Sequence, residues 1–184
     1  SRMQGLPARR ILRCQIPLIE IQTVRGSMKN ARINIGVIGV GHLGSLHSKM
    51  YDEIESANFV GVYDVNDEKR REVASKFNVK PFASIDELLR SVDAVSIATV
   101  TTTHFDVARQ VLSAGKHVLI EKPITSTLAE ADELIALADF IIPNETELSL
   151  LTGMEVKDIP SAEQAARILL GRGVKNVIVT LGSK

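Results

Sequence analysis

Three glycines in the segment GVIGVGHLGSLH have the spacing G-x-G-x-x-G, and His42 and Leu43 lie between the last two of them. The glycines are Gly39, Gly41 and Gly44. In this spacing the first glycine permits a tight turn, the second lets a pyrophosphate approach the backbone, and the third lets a helix lie close to the strand. The helix N-terminus would then offer N–H groups to the phosphates. A plain glycine-rich bend has the same letters, so the motif alone is a weak signal for a dinucleotide.

An acidic residue follows at the distance that such a motif requires. Asp64 ends the apolar run in GVYDV, about 20 residues after the glycines. A carboxylate at this place can accept hydrogen bonds from both ribose hydroxyls of an adenosine, and it would repel a 2′-phosphate. The cofactor favoured is therefore NAD, with NADP less favoured. The alternative is a solvated turn residue or the cap of the next helix.

Polar residues follow two further apolar runs. The segment ATVTTTH, with Thr99, Thr101 and His104, comes after one of them, and Glu121 and Lys122 in EKP come after the next. Ligands of open α/β sheets bind at the carboxyl ends of the strands, so we expect the hydroxyl side chains to lie over the cofactor. Lys122 would orient a hydroxyl or relay its proton. The alternative for Lys122 is an ordinary exposed lysine after a strand.

The elements that must hold these residues alternate between short apolar runs and helical patterns. This order predicts βαβ units and a doubly wound parallel sheet of the Rossmann type, three layers thick, starting near residue 32. Strands are expected at 33–40, 57–65, 93–100 and 117–123, and helices at 66–78, 104–116 and 125–138. A strand at 139–142, two helices and a strand at 176–182 would follow.

Residues 33–138 resemble the nucleotide-binding half of the glucose–fructose oxidoreductase/inositol dehydrogenase/MocA family. The resemblance rests on GVIGVGHLGSLH, GVYDV, SIATVTTTHFDVARQVLSAGKHVLIEKPI and TLAEADELIALA, in that order. It implies an NAD(P)-dependent oxidoreductase of sugars and cyclitols, with Lys122 near the reacting carbon. It also implies that the cofactor loops are formed by the residues Gly39, Gly41, Gly44, Asp64, Thr99, Thr101, His104 and Glu121.

The residues after 138 resemble a different family, ribokinase and its sugar-kinase relatives. The segments carrying this likeness are LADFIIPNETELSLLTG and AARILLGRGVKNVIVTLGSK. Asn144 and Glu147 match the N-x-x-E motif, which in that family helps to organise magnesium and phosphate. The alternative for this pair is a helix cap with an acid in the first turn.

Two resemblances in one chain suggest a recombined or engineered chimera. We expect a leader or tag at 1–27, a Rossmann half at 28–138, and a kinase-like segment at 139–184 that completes the sheet. In this arrangement the strand at 139–142 lies beside that at 117–121. The segment RILRCQI alternates in polarity and could add an edge strand.

Composition limits the function further. Acidic and basic residues balance at 22 each, which gives no electrostatic case for nucleic acid or an anionic membrane as partner. Cys14 is the only cysteine, which suits a reducing, cytoplasmic compartment. No apolar run approaches a membrane span, and the four histidines do not form a metal-binding spacing. The composition leaves the oligomeric state open.

Three functions are compatible with these features. The first is an NAD-binding domain of a sugar or cyclitol oxidoreductase with little or no turnover, because the family's substrate domain is replaced and hydride transfer needs an enclosed site. The second is an oxidoreductase completed by a partner or a second copy. The third is a structural chimera that binds nothing. A kinase ranks below all three.

Overall fold

The computed structural model describes residues 11–14 and 32–181. The first half of the described elements comprises β1 (Ile11–Cys14), β2 (Ile33–Ile38), α1 (His42–Glu53), β3 (Ala57–Tyr63), α2 (Asp67–Lys76), β4 (Lys80–Pro81), α3 (Ile85–Leu89) and β5 (Ala94–Ile97). A 3₁₀ turn (Thr101–Thr103) precedes α4 (His104–Ser113), β6 (His117–Ile120), α5 (Leu128–Leu137), β7 (Phe140–Ile141), α6 (Glu145–Thr152), α7 (Ile159–Gly171) and β8 (Asn176–Thr180). These residues fall into two compact units, one formed by 32–127 and the other by 11–14 with 128–181.

The 32–127 unit is an α/β fold on a five-stranded sheet in the order β4-β3-β2-β5-β6, with every neighbouring pair parallel. The chain leaves β2 in one direction to β3 and β4 and in the other to β5 and β6. The order therefore reverses at β2, and the crevice at its carboxyl end is the usual ligand position in such sheets. The predicted Rossmann-type sheet is confirmed.

Burial explains why these segments form strands. Val37 and Ile38 of β2, Val62 of β3 and Ile97 of β5 are fully buried, as expected for parallel strands that helices cover on both faces. Helix starts are marked by side-chain caps: the Asn66 side chain accepts from the Lys69 N–H at α2. Gly115, with φ +68°, follows the Ala114 C-cap of α4 as a left-handed residue.

The other unit has its own three-stranded sheet, in the order β1-β8-β7. β7 runs parallel to β8, and the backbone of 11–14 pairs antiparallel with β8, so the edge strand expected from RILRCQI is present. Helix α7 buries the small face formed by Ala162, Ala165, Ala166 and Leu169, which recur at helical spacing.

The prediction that the 139–142 strand lies beside the 117–121 strand is wrong. β7 pairs with β8, and β6 is an edge of the five-stranded sheet. The reason is local: the α6–α7 crossover returns the chain as β8 alongside β7, and Leu148, Leu169 and Val177 bury their side chains within this unit. The strands after residue 138 therefore belong to a different sheet from β2 to β6.

The boundary between the units also precedes α5, whereas the sequence predicts a change of family after this helix. Arg172, just after α7, donates to the Asp132 carboxylate of α5 over 2.8 Å. Within residues 11–14 and 32–181, no helix combines the length and apolar character needed to cross a bilayer.

Candidate functional site

The turn after β2 is built by close backbone approach at two glycines. Gly39 has φ +86°, and a Cβ there would lie 2.7 Å from the Thr99 nitrogen. A Cβ on Gly44 would lie only 1.8 Å from the Gly39 carbonyl oxygen. Side chains are thus excluded at both positions, because α1 must start directly against the turn and the turn against the β5 loop. These are the two packing roles that the motif predicts.

The start of α1 is open. A Cβ added to Gly41 would meet no atom within 4 Å, and Gly41 caps the helix without a side-chain hydrogen bond. The first helical bond runs from the Ser45 N–H to the Gly41 carbonyl, so the amides of His42, Leu43 and Gly44 point outward along the helix axis. The first turn contains no acidic residue. An anion is the ligand that such a helix start fits.

Asp64, just after β3, is bound to this turn. Its Oδ2 accepts from the Val40 N–H over 2.7 Å, and its Oδ1 accepts from the Asn66 N–H over 2.8 Å. A carboxylate has about four lone-pair positions, so each oxygen keeps acceptor capacity for a further donor. The carboxylate is held beside the open helix start, where the adenosine ribose of a dinucleotide would need it.

A guanidinium lies against the same strand end. Arg70 of α2 donates from Nη1 to the Asp64 carbonyl over 3.0 Å and from Nη2 to the Asp67 carboxylate. Its Nε is buried and has no hydrogen-bond partner among the described residues. A positive charge, paired with Asp67, therefore lies against the main-chain carbonyl of the residue whose carboxylate would bind the ribose.

The loop after β5 is braced by its own side chains. The Thr103 hydroxyl donates to the Thr99 hydroxyl over 2.8 Å, and Thr101 is half-buried in the 3₁₀ turn. His104 is 1% exposed, with Nδ1 at 2.9 Å from the Pro123 carbonyl and Nε2 at 3.1 Å from the Thr99 carbonyl. Both ring nitrogens are thus engaged with the main chain. His104 connects the β5 and β6 loops instead of offering a ring nitrogen to a ligand.

At the end of β6, Glu121 contacts a residue that the sequence does not single out. Its Oε1 lies 2.6 Å from Nε2 of His47 on α1, and its Oε2 accepts from the Lys122 N–H over 3.1 Å. Lys122 itself is exposed. The sequence predicts His47 only as a helix-start or pocket-edge residue. The contact joins residues 74 positions apart, and no local pattern signals it.

The N-x-x-E pair of the other unit forms a capping box. The Asn144 side chain accepts from the Glu147 N–H over 2.9 Å, and the Glu147 carboxylate accepts from the Asn144 N–H over 3.0 Å. The alternative weighed from the sequence, a cap with a first-turn acid, describes this geometry. Within the described part of the chain, no three His, Cys, Asp or Glu side chains are close enough to hold a metal ion.

Comparison with known proteins agrees with the 32–127 geometry. Residues 33–140 match the family model described as "Oxidoreductase family, NAD-binding Rossmann fold". The chain is 52% identical over 103 residues to UDP-N-acetylglucosamine 3-dehydrogenase of Acidithiobacillus ferrooxidans, covering 56% of this chain and 32% of that protein. A solved structure of that enzyme superposes with a TM-score of 0.56 at 48% identity, over 59% of this chain and 35% of the other.

Two further proteins are informative. WlbA dehydrogenase of Bordetella pertussis, solved in complex with NADH and UDP-GlcNAcA, matches 56% of this chain and 33% of its own at 26% identity, with a TM-score of 0.53. Ribokinase of Haemophilus influenzae is 50% identical over 54 residues, which are 29% of this chain and 18% of the kinase.

The chain thus spans about a third of the oxidoreductases it matches and less of the kinase. The family match covers more than half of the chain, and the glycine turn, Asp64 and the EKP segment all lie inside it. The chain belongs to the glucose–fructose oxidoreductase/inositol dehydrogenase/MocA family of NAD-binding Rossmann-fold oxidoreductases.

Proposed function

We propose that the 32–127 unit binds NAD and serves as the nucleotide half of an oxidoreductase acting on a sugar, a cyclitol or a sugar nucleotide. The observation that carries the proposal is the hydrogen bond from the Val40 N–H to Asp64, beside the uncapped start of α1. It brings an anion site and a hydroxyl acceptor together, and these are the two groups that an adenosine diphosphate needs. The cofactor, when bound, supplies a hydride acceptor or donor.

The chain's own residues divide the work. The outward amides at His42, Leu43 and Gly44 bind the diphosphate, and the Asp64 carboxylate accepts hydrogen bonds from the ribose hydroxyls. Its negative charge disfavours a 2′-phosphate, so NAD is preferred to NADP. Arg70 works against this preference, because its guanidinium is bonded to the Asp64 carbonyl and stays at the strand end when the carboxylate is removed.

Lys122 is proposed to face the substrate. As an ammonium group its side chain can donate a hydrogen bond to the reacting hydroxyl, and as a neutral amine it can take up that hydroxyl's proton and later return it. A sugar-type substrate is supported by the relative named UDP-N-acetylglucosamine 3-dehydrogenase and by the resemblance of the EKP segment.

Calorimetric titration with NADH tests the proposal. We expect saturable binding by the wild type, and Asp64→Ala should weaken it about tenfold to hundredfold, because hydrogen bonds to a charged group contribute about 1.5–3 kcal/mol. Asp64→Ser should move the preference toward NADPH. Asp93 gives a matched control, since its carboxylate accepts from the Asn34 N–H over 2.9 Å at the amino ends of β2 and β5, away from the glycine turn. Asp93→Ala should leave NADH affinity unchanged.

The alternative functions give other results. A well-folded wild type that releases no heat with NADH would indicate a purely structural chimera. Oxidation of a sugar or cyclitol with growth of NADH absorbance would support a complete enzyme, with its second wall supplied by a partner or a second copy. NADH binding without turnover across such a panel is the result we expect for a nucleotide half joined to a kinase-like segment.

The chimera itself is part of the proposal. It is supported by the 50% identity to a ribokinase over 54 residues, beside a match to a different family over residues 33–140. Because Asn144 and Glu147 cap α6 with each other, we expect no kinase chemistry from this pair. Magnesium-ATP should therefore leave hydrogen exchange in α6 unchanged, whereas NADH should protect the glycine turn.

A further inference from the structure

The contact between His47 and Glu121 joins the two ends of the candidate site. His47 lies on α1, about one turn after the amides that the diphosphate would use, and Glu121 directly precedes Lys122. Their atoms Nε2 and Oε1 are 2.6 Å apart, and the two side chains are only 14% and 25% exposed. A pair so short and so shielded is more strongly coupled than an ion pair at the open surface.

Helix α1 holds His47 rigidly. Its ring packs edge-to-face on Tyr51 one turn later, with centroids 6.3 Å apart, and the Tyr51 hydroxyl lies 2.6 Å from that of buried Ser96 on β5. The Ser45 hydroxyl of α1 donates to the Val40 carbonyl of the turn over 3.2 Å. The imidazole is therefore presented to Glu121 by an element anchored both to the glycine turn and to the sheet.

Glu121 passes this constraint to the backbone. While Oε1 faces His47, Oε2 accepts the Lys122 N–H, so the carboxylate bridges the imidazole and the amide of the residue proposed to face the substrate. The bridge requires a proton on Nε2, because a carboxylate only accepts hydrogen bonds.

We propose that His47 is a positioning residue that, through Glu121, holds Lys122 at a set distance from the diphosphate-binding start of α1. This inference rests on the proposed NAD site and adds a residue to it. Helix α1 carries the N–H groups for the phosphates at its first turn and the His47 imidazole at its second, so it links the two ends of the site. Loss of the imidazole would free the Glu121–Lys122 segment and leave the phosphate end intact.

Two readouts test this. The first is the Lys122 amide in nitrogen-15 spectra of the ligand-free chain: His47→Leu should shift this resonance and speed its hydrogen exchange about fivefold to tenfold. His47→Gln, whose amide nitrogen can replace Nε2 as a donor, should restore both. Lys49→Gln is the matched control, since it removes the exposed Glu53 contact from the same helix without touching His47 or Glu121.

The second readout compares two ligands. NADH reaches both ends of the site, whereas ADP occupies only the phosphate and adenosine end. We expect His47→Leu to weaken NADH about fivefold to tenfold and ADP less than twofold, with His47→Gln close to the wild type. Equal weakening of both ligands, or of neither, would overturn the proposal.

The two hypotheses fail differently. A wild type that binds neither NADH nor ADP defeats the proposed function, and the Lys122 amide then still decides the role of His47. An unchanged amide in His47→Leu overturns the positioning role whatever the ligands do. Should His47→Leu fail to fold, Glu121→Gln is measured in its place, with the same Lys122 shift expected.

Discussion

Helices α1 and α6 both begin at motifs that the sequence associates with phosphate binding, the glycine motif and N-x-x-E, but their first turns differ. Helix α1 starts at Gly41 with no side-chain cap and no acid in its first turn. Helix α6 starts at Asn144 with a complete capping box and acids at Glu145 and Glu147. In α6 the Glu147 N–H, which corresponds in position to that of Gly44 in α1, is already bonded to the Asn144 side chain, and the Asn144 N–H is bonded to the Glu147 carboxylate.

The difference shows that a helix N-terminus can bind an anion only where its first-turn N–H groups are not already hydrogen-bonded to side chains. The macrodipole and the first-turn amides are common to every helix. A local carboxylate neutralises this field in α6, whereas Gly41 adds neither bulk nor charge at α1. The site therefore depends on the absence of a side-chain cap and of an acid from the first turn of α1, as well as on the glycines and Asp64.

The largest expected effect comes from filling the turn that keeps α1 open. Gly44→Ala would place a Cβ 1.8 Å from the Gly39 oxygen, a backbone atom that cannot move without breaking the turn. We expect a loss of about 3 kcal/mol or more in the free energy of unfolding, measured by urea denaturation.

Gly41→Ala is the control for this substitution, because its Cβ meets open space. Its free energy of unfolding should stay within about 1 kcal/mol of the wild type. Equal destabilisation by the two alanines would show that Gly44 is not packed against the turn.

Giving α1 the kind of cap that α6 has should separate stability from binding. Gly41→Asp has the room and the extended backbone that an N-cap requires, with φ −64° and ψ −158°. We expect a gain of about 0.5 kcal/mol in stability from the cap and the helix dipole. NADH affinity should fall about tenfold or more, because the carboxylate takes up the amides and repels the diphosphate. Unchanged affinity in calorimetry would place the diphosphate elsewhere.

Much of the oxidoreductase-like unit follows from its sequence. The apolar runs ending in Ile38 and Tyr63 predict parallel strands, because strands buried on both faces have apolar residues at consecutive positions. The roles of Gly39 and Gly44 can also be predicted, because they depend on neighbouring residues. Long-range side-chain contacts cannot be predicted in this way. His47 meets Glu121 only after β6 has taken its place in the sheet, and nothing in the helix pattern distinguishes this histidine from an exposed one.

In the unit formed by 11–14 and 128–181, the sequence predicts the elements but not how they pair. Its elements are predicted well, yet the strand at Phe140–Ile141 is assigned to the wrong sheet. A two-residue strand carries too little pattern to choose a neighbour, and the choice is made by the α6–α7 crossover and its buried face. The sequence predicts His104 in a cofactor loop, and its burial between the Thr99 and Pro123 carbonyls depends on the positions of two separate loops, which no local pattern gives.

A smaller effect is expected from opening α6. Asn144→Ala removes the side-chain oxygen that accepts the Glu147 N–H, and caps of this kind contribute about 1 kcal/mol. Urea denaturation should show this loss, and NADH affinity should not change, since Asn144 lies outside the family match. Asn144→Asp keeps an acceptor and should retain most of the stability. A change in NADH affinity in Asn144→Ala would contradict the contrast drawn between the two helix starts.

The smallest change in stability is expected at the start of α3, which, like α6, has acidic residues in its first turn. The Lys80 ammonium, 2.7 Å from the Glu87 carboxylate, holds the Glu87 pKa below its ordinary value of 4.5, and the Ala83 N–H adds to this. Because the folded-state pKa is the lower one, the stabilisation is complete above about pH 5.5 and disappears as the pH falls below 4.5 through the folded-state pKa.

Glu87→Gln should therefore be slightly less stable than the wild type at pH 7 and indistinguishable from it at low pH. High salt should reduce the difference, since the pair is partly exposed and screened. Glu53→Gln is the matched control: its partner Lys49 is 3.9 Å away and both side chains are about two-thirds exposed, so its stability at pH 7 should match that of the wild type. A Glu87→Gln difference that persists unchanged to pH 3 would mean that packing, and not the charge, stabilises this helix start.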